Sequence, residues 1–137
     1  NKTFNIKYFE KFVQNKKKNI KNLLMDQTFV SGLGNIYVNE ALFMAKIKPL
    51  RICSSLNERE IKNLILNIKK ILILAISKGG SSIKNFKNTL GKSGSFQRLF
   101  KVYGQENKNC SRISCKGKIK KIKISNRSSF YCNKCQN

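Results

Sequence analysis

Asp26-Gln27-Thr28-Phe29-Val30-Ser31-Gly32-Leu33-Gly34-Asn35-Ile36-Tyr37-Val38-Asn39-Glu40-Ala41 is the stretch on which the reading of this chain turns. A helical pattern ends near Met25, glycines follow at 32 and 34, and a second helical pattern opens at Asn35. Glycine permits positive φ and close backbone approach, so such a turn can bring peptide N–H groups up to a ligand. The helix that follows starts with free N–H donors and the positive end of its dipole, which suits phosphate. Asn35 stands where its side chain either caps that helix or touches the anion itself. The same residues also make an ordinary glycine-rich turn between helices with a capping asparagine, and the rest of the chain has to choose.

Upstream, Phe4, Ile6, Phe9, Phe12 and Val13 predict a first helix over 4–14, followed by the basic break Asn15-Lys16-Lys17-Lys18-Asn19. Ile20, Leu23 and Leu24 predict a second helix with Lys21 near its start. The dipole favours acids there, so Lys21 is either solvated or a phosphate contact beside Asn35. Downstream, Ile36, Ala41, Leu42, Phe43 and Ala45 predict a buried third helix that stops before Lys48-Pro49. Ser55-Leu56-Asn57-Glu58 reads as a capping box opening a long helix that Gly79-Gly80 ends. That helix is nearly apolar all round in its second half, which predicts a central place in the core. Residues 81–97 carry Lys84, Lys87 and Lys92 around Phe86 and Phe96, with Arg98 just beyond, in a polar stretch long enough to be functional or disordered.

The 137 residues suffice for one domain, or one domain with a small appendage, and 40% apolar content supports a core. Lys plus Arg number 29 against 6 Asp plus Glu, a formal +23. Four zinc-bound thiolates would bring that to about +21. An excess of this size points to a polyanion, and nucleic acid is the leading partner. A membrane partner is not expected: no run is long enough to span a bilayer, no signal pattern opens the chain, and no basic amphipathic helix carries Trp. The chain starts at Asn1 and not at Met, from which a fragment lacking an upstream part is expected.

The tail carries the sharpest chemistry. Four residues separate Cys110 from Cys115, two separate Cys132 from Cys135, and sixteen lie between the pairs, a spacing that fits a four-cysteine zinc site. Lysines 118, 120, 121 and 123 alternate with Ile119, Ile122 and Ile124, and Asn126-Arg127 turns into Ser128-Ser129-Phe130-Tyr131, a hairpin pattern. Two disulfides are the competing reading, disfavoured because reducing compartments keep thiols free. Four thiolates leave zinc no open position, so one structural ion is expected. Cys53 reads as a small packed residue. With no His in the chain, His-based acid–base catalysis is excluded.

Taken together, Leu23-Leu24-Met25-Asp26-Gln27, Gly32-Leu33-Gly34-Asn35-Ile36-Tyr37, Asn39-Glu40-Ala41-Leu42-Phe43, Lys48-Pro49, Gly79-Gly80-Ser81-Ser82, Val102-Tyr103-Gly104 and Asn126 through Gln136 resemble, in order, the C-terminal half of bacterial formamidopyrimidine-DNA glycosylases. The likeness runs over essentially the whole chain and resembles the endonuclease VIII branch less. It implies a mainly α fold with a small β zinc-finger hairpin: a helix–two-turn–helix DNA-binding domain over 1–100, in which 81–97 is a mobile lesion loop, then a zinc finger over 101–137. It implies a base-excision DNA glycosylase and AP lyase acting on oxidised purines (formamidopyrimidine, 8-oxoguanine). Such an enzyme works as a monomer on double-stranded DNA with a damaged base, in the bacterial cytoplasm at the nucleoid. Asn35, Lys21 and Lys16 fall on the family's DNA-gripping positions. Arg127 falls on the zinc-finger arginine that binds phosphate and donates the proton of the final elimination.

The family's nucleophile is an N-terminal proline amine, with a neighbouring Glu and a hairpin Lys, and none of these stands here; the one proline is Pro49. The lysines that are present lie mostly in charged stretches expected to be solvated, where nothing in the sequence points to a tuned amine. Cys-x₄-Cys also departs from the two-residue spacing usual in the family. Two functions follow from the sequence: the DNA-binding half of a bifunctional glycosylase, or a stand-alone basic zinc-ribbon module that holds nucleic acid without chemistry.

Overall fold

Asn19 sets the frame of the helical body. Its side-chain carbonyl accepts the Asn22 N–H at 2.7 Å and so caps the helix that follows. In the computed structural model, which describes residues 6–26, 34–77 and 100–137, the elements run α1 (Ile6–Gln14), α2 (Ile20–Asp26), α3 (Gly34–Met44), α4 (Glu58–Ser77), β1 (Ile119–Ile124) and β2 (Arg127–Cys132). A short 3₁₀ turn, Cys53–Ser55, precedes α4. The glycine turn at 32, the Gly79-Gly80 stop and the 81–97 loop lie outside the described residues.

The segment after α3 doubles back along the start of α2. Ile20 and Lys21 give their N–H groups to the carbonyls of Arg51 and Pro49, at 2.8 and 3.2 Å, and Cys53 gives its own to Lys18. Donors that a helix start leaves orphaned are thereby satisfied.

α3 is the central helix. Every residue from Ile36 through Phe43 is buried, because α1, α2 and α4 share one apolar cluster with it and the hairpin closes its remaining side. The sequence pointed to α4 for this place. α4 instead buries one stripe (Ile61, Leu64, Ile65, Ile68, Ile71) and leaves Leu66, Ile73 and Leu74 exposed. Its apolar excess therefore exceeds what one core face can take.

One boundary expectation changes and another holds. The capping box that opens α4 is Asn57 with Glu60, not Ser55 with Glu58: the Glu60 N–H reaches Asn57 Oδ1 at 2.8 Å, and the Asn57 N–H reaches Glu60 Oε1 at 3.0 Å. Glu60 also takes a two-pronged ion pair from Arg51, and that second partner selects the later register. α3 ends before Pro49 through its own C-terminal motif. The Ile47 N–H returns to the Leu42 carbonyl and the Lys46 N–H to Phe43, with Lys46 in the left-handed region at φ 61°.

β1 and β2 pair antiparallel, Ile119 opposite Cys132 through Ile124 opposite Arg127. The turn is Ser125-Asn126, with φ of 49° and 66°, as a two-residue turn with both central residues left-handed requires. Arg127 is consequently the first residue of β2 and not part of the turn. The hairpin packs on α3 through a second cluster of Phe43, Val102, Cys110, Ile119, Phe130 and Cys132. Phe100 belongs to the helical cluster and Val102 to the finger cluster, while Tyr103 packs against both.

Candidate nucleic-acid interface and metal centre

Residues from α2, α3 and β2 meet along residues 127–130. Lys21 on α2 is 1% exposed, and its ammonium donates to Ser129 Oγ at 2.7 Å. The Asn35 amide on α3 donates to the Ser128 carbonyl at 3.0 Å. One turn on, Asn39 accepts the Phe130 N–H at 2.7 Å and donates to the Asn35 carbonyl at 2.8 Å. Arg127 is exposed at the head of β2. Burial first, and the nearby Arg127 charge second, push Lys21 down to about 8.

Of the two readings of Lys21, the solvated side chain does not survive this geometry. The Lys21 ammonium is buried against Ser129 of β2, a long-range contact that helical periodicity does not encode. Asn35 does not cap α3; its amide reaches across to the hairpin and has a second hydrogen to offer. Lys16 makes a different contact, its ammonium lying over the Phe12 ring 4.8 Å from the centroid, which ties it to α1. Asn39 was missed by the sequence reading, although its i, i+4 spacing from Asn35 places both amides on one helix face.

The Lys21 and Arg127 charges lie close enough to act on each other. Among the described residues, ion pairs engage Asp26, Glu58, Glu60 and Glu106, with Lys18, Lys62, Arg51 and Lys121. Neither Lys21 nor Arg127 is among them. Glu40 is committed elsewhere: its carboxylate accepts the backbone N–H groups of Lys101, Val102 and Tyr103 at 2.8 to 2.9 Å.

Below this surface, the sulfurs of Cys110, Cys115, Cys132 and Cys135 all lie within 4.8 Å of one another. Cys110 and Cys135 are 3.8 Å apart, Cys115 and Cys132 3.6 Å. A tetrahedron with Zn–S bonds of about 2.3 Å has edges of about 3.8 Å, and a disulfide needs about 2.05 Å, so the set fits a metal ion and not two bridges. All five cysteines are free thiols, and burial pushes the Cys53 thiol, packed in the helical core, up to about 11.

The four-residue insert closes its knuckle with a turn, Cys115 N–H to Arg112 carbonyl at 3.1 Å, helped by Ser114 at φ 69°. Its extra length projects outward, leaving Ile113 96% exposed. Gly117 is required by this packing: a Cβ there would stand 2.5 Å from Cys132 Sγ and 2.8 Å from Lys134 Cβ.

Helical body, basic cluster and thiolate knuckle together define a basic helical module carrying a tetrathiolate finger. The family profile of the formamidopyrimidine-DNA glycosylase H2TH domain matches residues 1–87, and that of the zinc finger found in FPG and IleRS matches 108–137. The chain belongs to the formamidopyrimidine-DNA glycosylase H2TH family.

It is 46% identical over 135 residues to the formamidopyrimidine-DNA glycosylase of Streptococcus mutans serotype c, covering 98% of this chain and 49% of that protein. The Rickettsia bellii enzyme is 45% identical over 134 residues, covering 98% and 48%. A crystal structure of the Lactococcus lactis glycosylase bound non-covalently to DNA containing an AP site superposes with a TM-score of 0.82 at 40% identity, over 99% of this chain and 48% of that one. A MutM complex with DNA containing carbocyclic 8-oxo-G gives 0.82 at 40%, over 98% and 47%. The chain thus spans about half the length of the relatives it matches. Among the described residues, no helix is long and apolar enough to cross a membrane.

Proposed function

We propose that these residues form the DNA-gripping half of a base-excision glycosylase and AP lyase that removes oxidised purines, formamidopyrimidine and 8-oxoguanine, from duplex DNA. The observation that carries this reading is the convergence of Lys21, Asn35 and Arg127 on residues 127–130 with no acid between them. Phosphates on either side of a damaged nucleotide fill that site. The ammonium, the guanidinium and the amide hold the backbone in a bent course and offset the few kcal/mol that unstacking a base costs. Lys16 adds a phosphate contact further along the strand. Arg127, exposed and therefore able to reach a sugar-phosphate, is the proton donor of the final elimination in this scheme.

One zinc ion held by Cys110, Cys115, Cys132 and Cys135 supplies folding energy to the finger and no reaction step. The division of labour runs 1–100 for the helical grip and 101–137 for the finger, with a monomer acting at the nucleoid in the bacterial cytoplasm.

The test is the salt dependence of binding to a duplex containing an abasic-site analogue. Log affinity falls by about 0.9 per log salt for each phosphate neutralised, so Lys21→Ala and Arg127→Ala each flatten the slope by about one. Slopes unchanged in both variants would remove the cluster from the interface.

A further inference from the structure

We propose that Arg112 is the outer partner of the four-thiolate centre: it bonds the Cys135 sulfur and bolts it to the C-terminal end of α3, so that metal retention and docking of the finger rest on one guanidinium. The inference depends on the zinc reading above and concerns a residue of the Cys110–Cys115 insert with no role assigned so far.

One guanidinium nitrogen of Arg112 donates to Cys135 Sγ at 2.9 Å. The other donates to the Phe43 carbonyl, with the Met44 carbonyl 3.4 Å away. The plane of the group lies over the Phe43 ring, 3.9 Å from its centroid. Both carbonyls belong to the last turn of α3, where the negative end of the dipole favours a cation, and the Phe43 carbonyl accepts the Lys46 N–H as well. No carboxylate pairs with Arg112 among the described residues, so its charge faces sulfur and carbonyl oxygen.

Four thiolates around a divalent ion leave about two negative charges to be spread. The Cys132 sulfur is served by the backbone N–H groups of Lys134 and Cys135, at 3.4 and 3.5 Å. Cys135 receives a charged donor instead, at shorter range. A hydrogen bond to a thiolate draws off electron density, which slows attack on electrophiles and holds the ligand in its bonding orientation. Only a planar fork reaches sulfur and a helix carbonyl at once, which a lysine ammonium on its flexible stem does not reproduce. A separate link, Gln136, joins the Cys132 N–H at 2.7 Å to the Ile47 carbonyl at 2.8 Å and touches no sulfur.

The experiment compares zinc-loaded wild type with Arg112→Ala, Arg112→Gln and Arg112→Lys, after metal analysis has confirmed zinc in the wild type. Zinc release to a chromophoric chelator is followed with and without N-ethylmaleimide, and the first cysteine alkylated is mapped by mass spectrometry. Release rises about ten-fold or more in the Ala and Gln variants, the range seen for lost outer-sphere partners, and less in Lys. Cys135 becomes the first residue alkylated, and in cobalt-substituted protein the thiolate-to-metal band shifts while the tetrahedral d–d bands remain. If Arg112→Ala does not fold, the Gln and Lys variants decide. Unchanged release, or faster release with no change in which cysteine reacts first, overturns the assignment. A wild-type chain that takes up no zinc overturns the zinc reading itself, before any variant is compared.

Discussion

Lys21 shows how much one residue's environment can do. Its ammonium is buried and bonded to Ser129, beside the Arg127 charge, and is pushed down to about 8. Between about 8 and the ordinary 10.5, the unfolded chain holds a proton that the folded chain has released, so this group makes folding more favourable as pH rises through that window. DNA binding has the opposite sign. A phosphate beside Lys21 draws its proton affinity back up, so binding takes up a proton above pH 8. Affinity for an abasic-site duplex, measured by fluorescence anisotropy, should weaken about ten-fold from pH 7 to pH 9, and Lys21→Met should lose that dependence. Gly117 carries a second prediction at this scale. Its missing Cβ leaves room for the Cys132 sulfur, so Gly117→Ala should lower zinc affinity about ten-fold or more, read by competition with a chelator.

At the scale of elements, the link between α3 and the finger hangs on Glu40, whose carboxylate closes over three consecutive backbone N–H groups at 101–103. Glu40→Ala leaves these donors without an acceptor and should cost about 3 kcal/mol or more. Glu40→Gln keeps one oxygen and should fall between. Urea midpoints at unchanged m-value measure both. The helices and hairpin were legible in the sequence because periodicity and paired cysteines are local signals. What was not legible came from contacts across the fold. β2 takes the Lys21 ammonium on Ser129 and the Asn35 amide on the Ser128 carbonyl, and Arg51 moves the α4 cap to Asn57 and Glu60. Asn39, Glu40 and Arg112 carried no role in the sequence because each serves a backbone group more than sixty residues away.

Across the whole molecule, 29 basic residues face 6 acids, and the structure assigns most of those acids to cations or backbone. The surplus is therefore available to DNA, but grip is not chemistry. An AP lyase needs an amine that reaches the sugar carbon, and an amine near neutrality is the better nucleophile. Lys21 is pushed down to about 8, yet its nitrogen is held by Ser129, on the face proposed to take a phosphate and not the sugar carbon. Pro49, the only proline, is buried within the helical body, where its nitrogen is an amide. The 137 residues alone should therefore bind abasic DNA without being trapped on it by borohydride. A covalent adduct mapped to Lys21 would show instead that the hairpin swings away on binding and frees the amine. That outcome would replace the division between grip and chemistry proposed here with a single residue serving both.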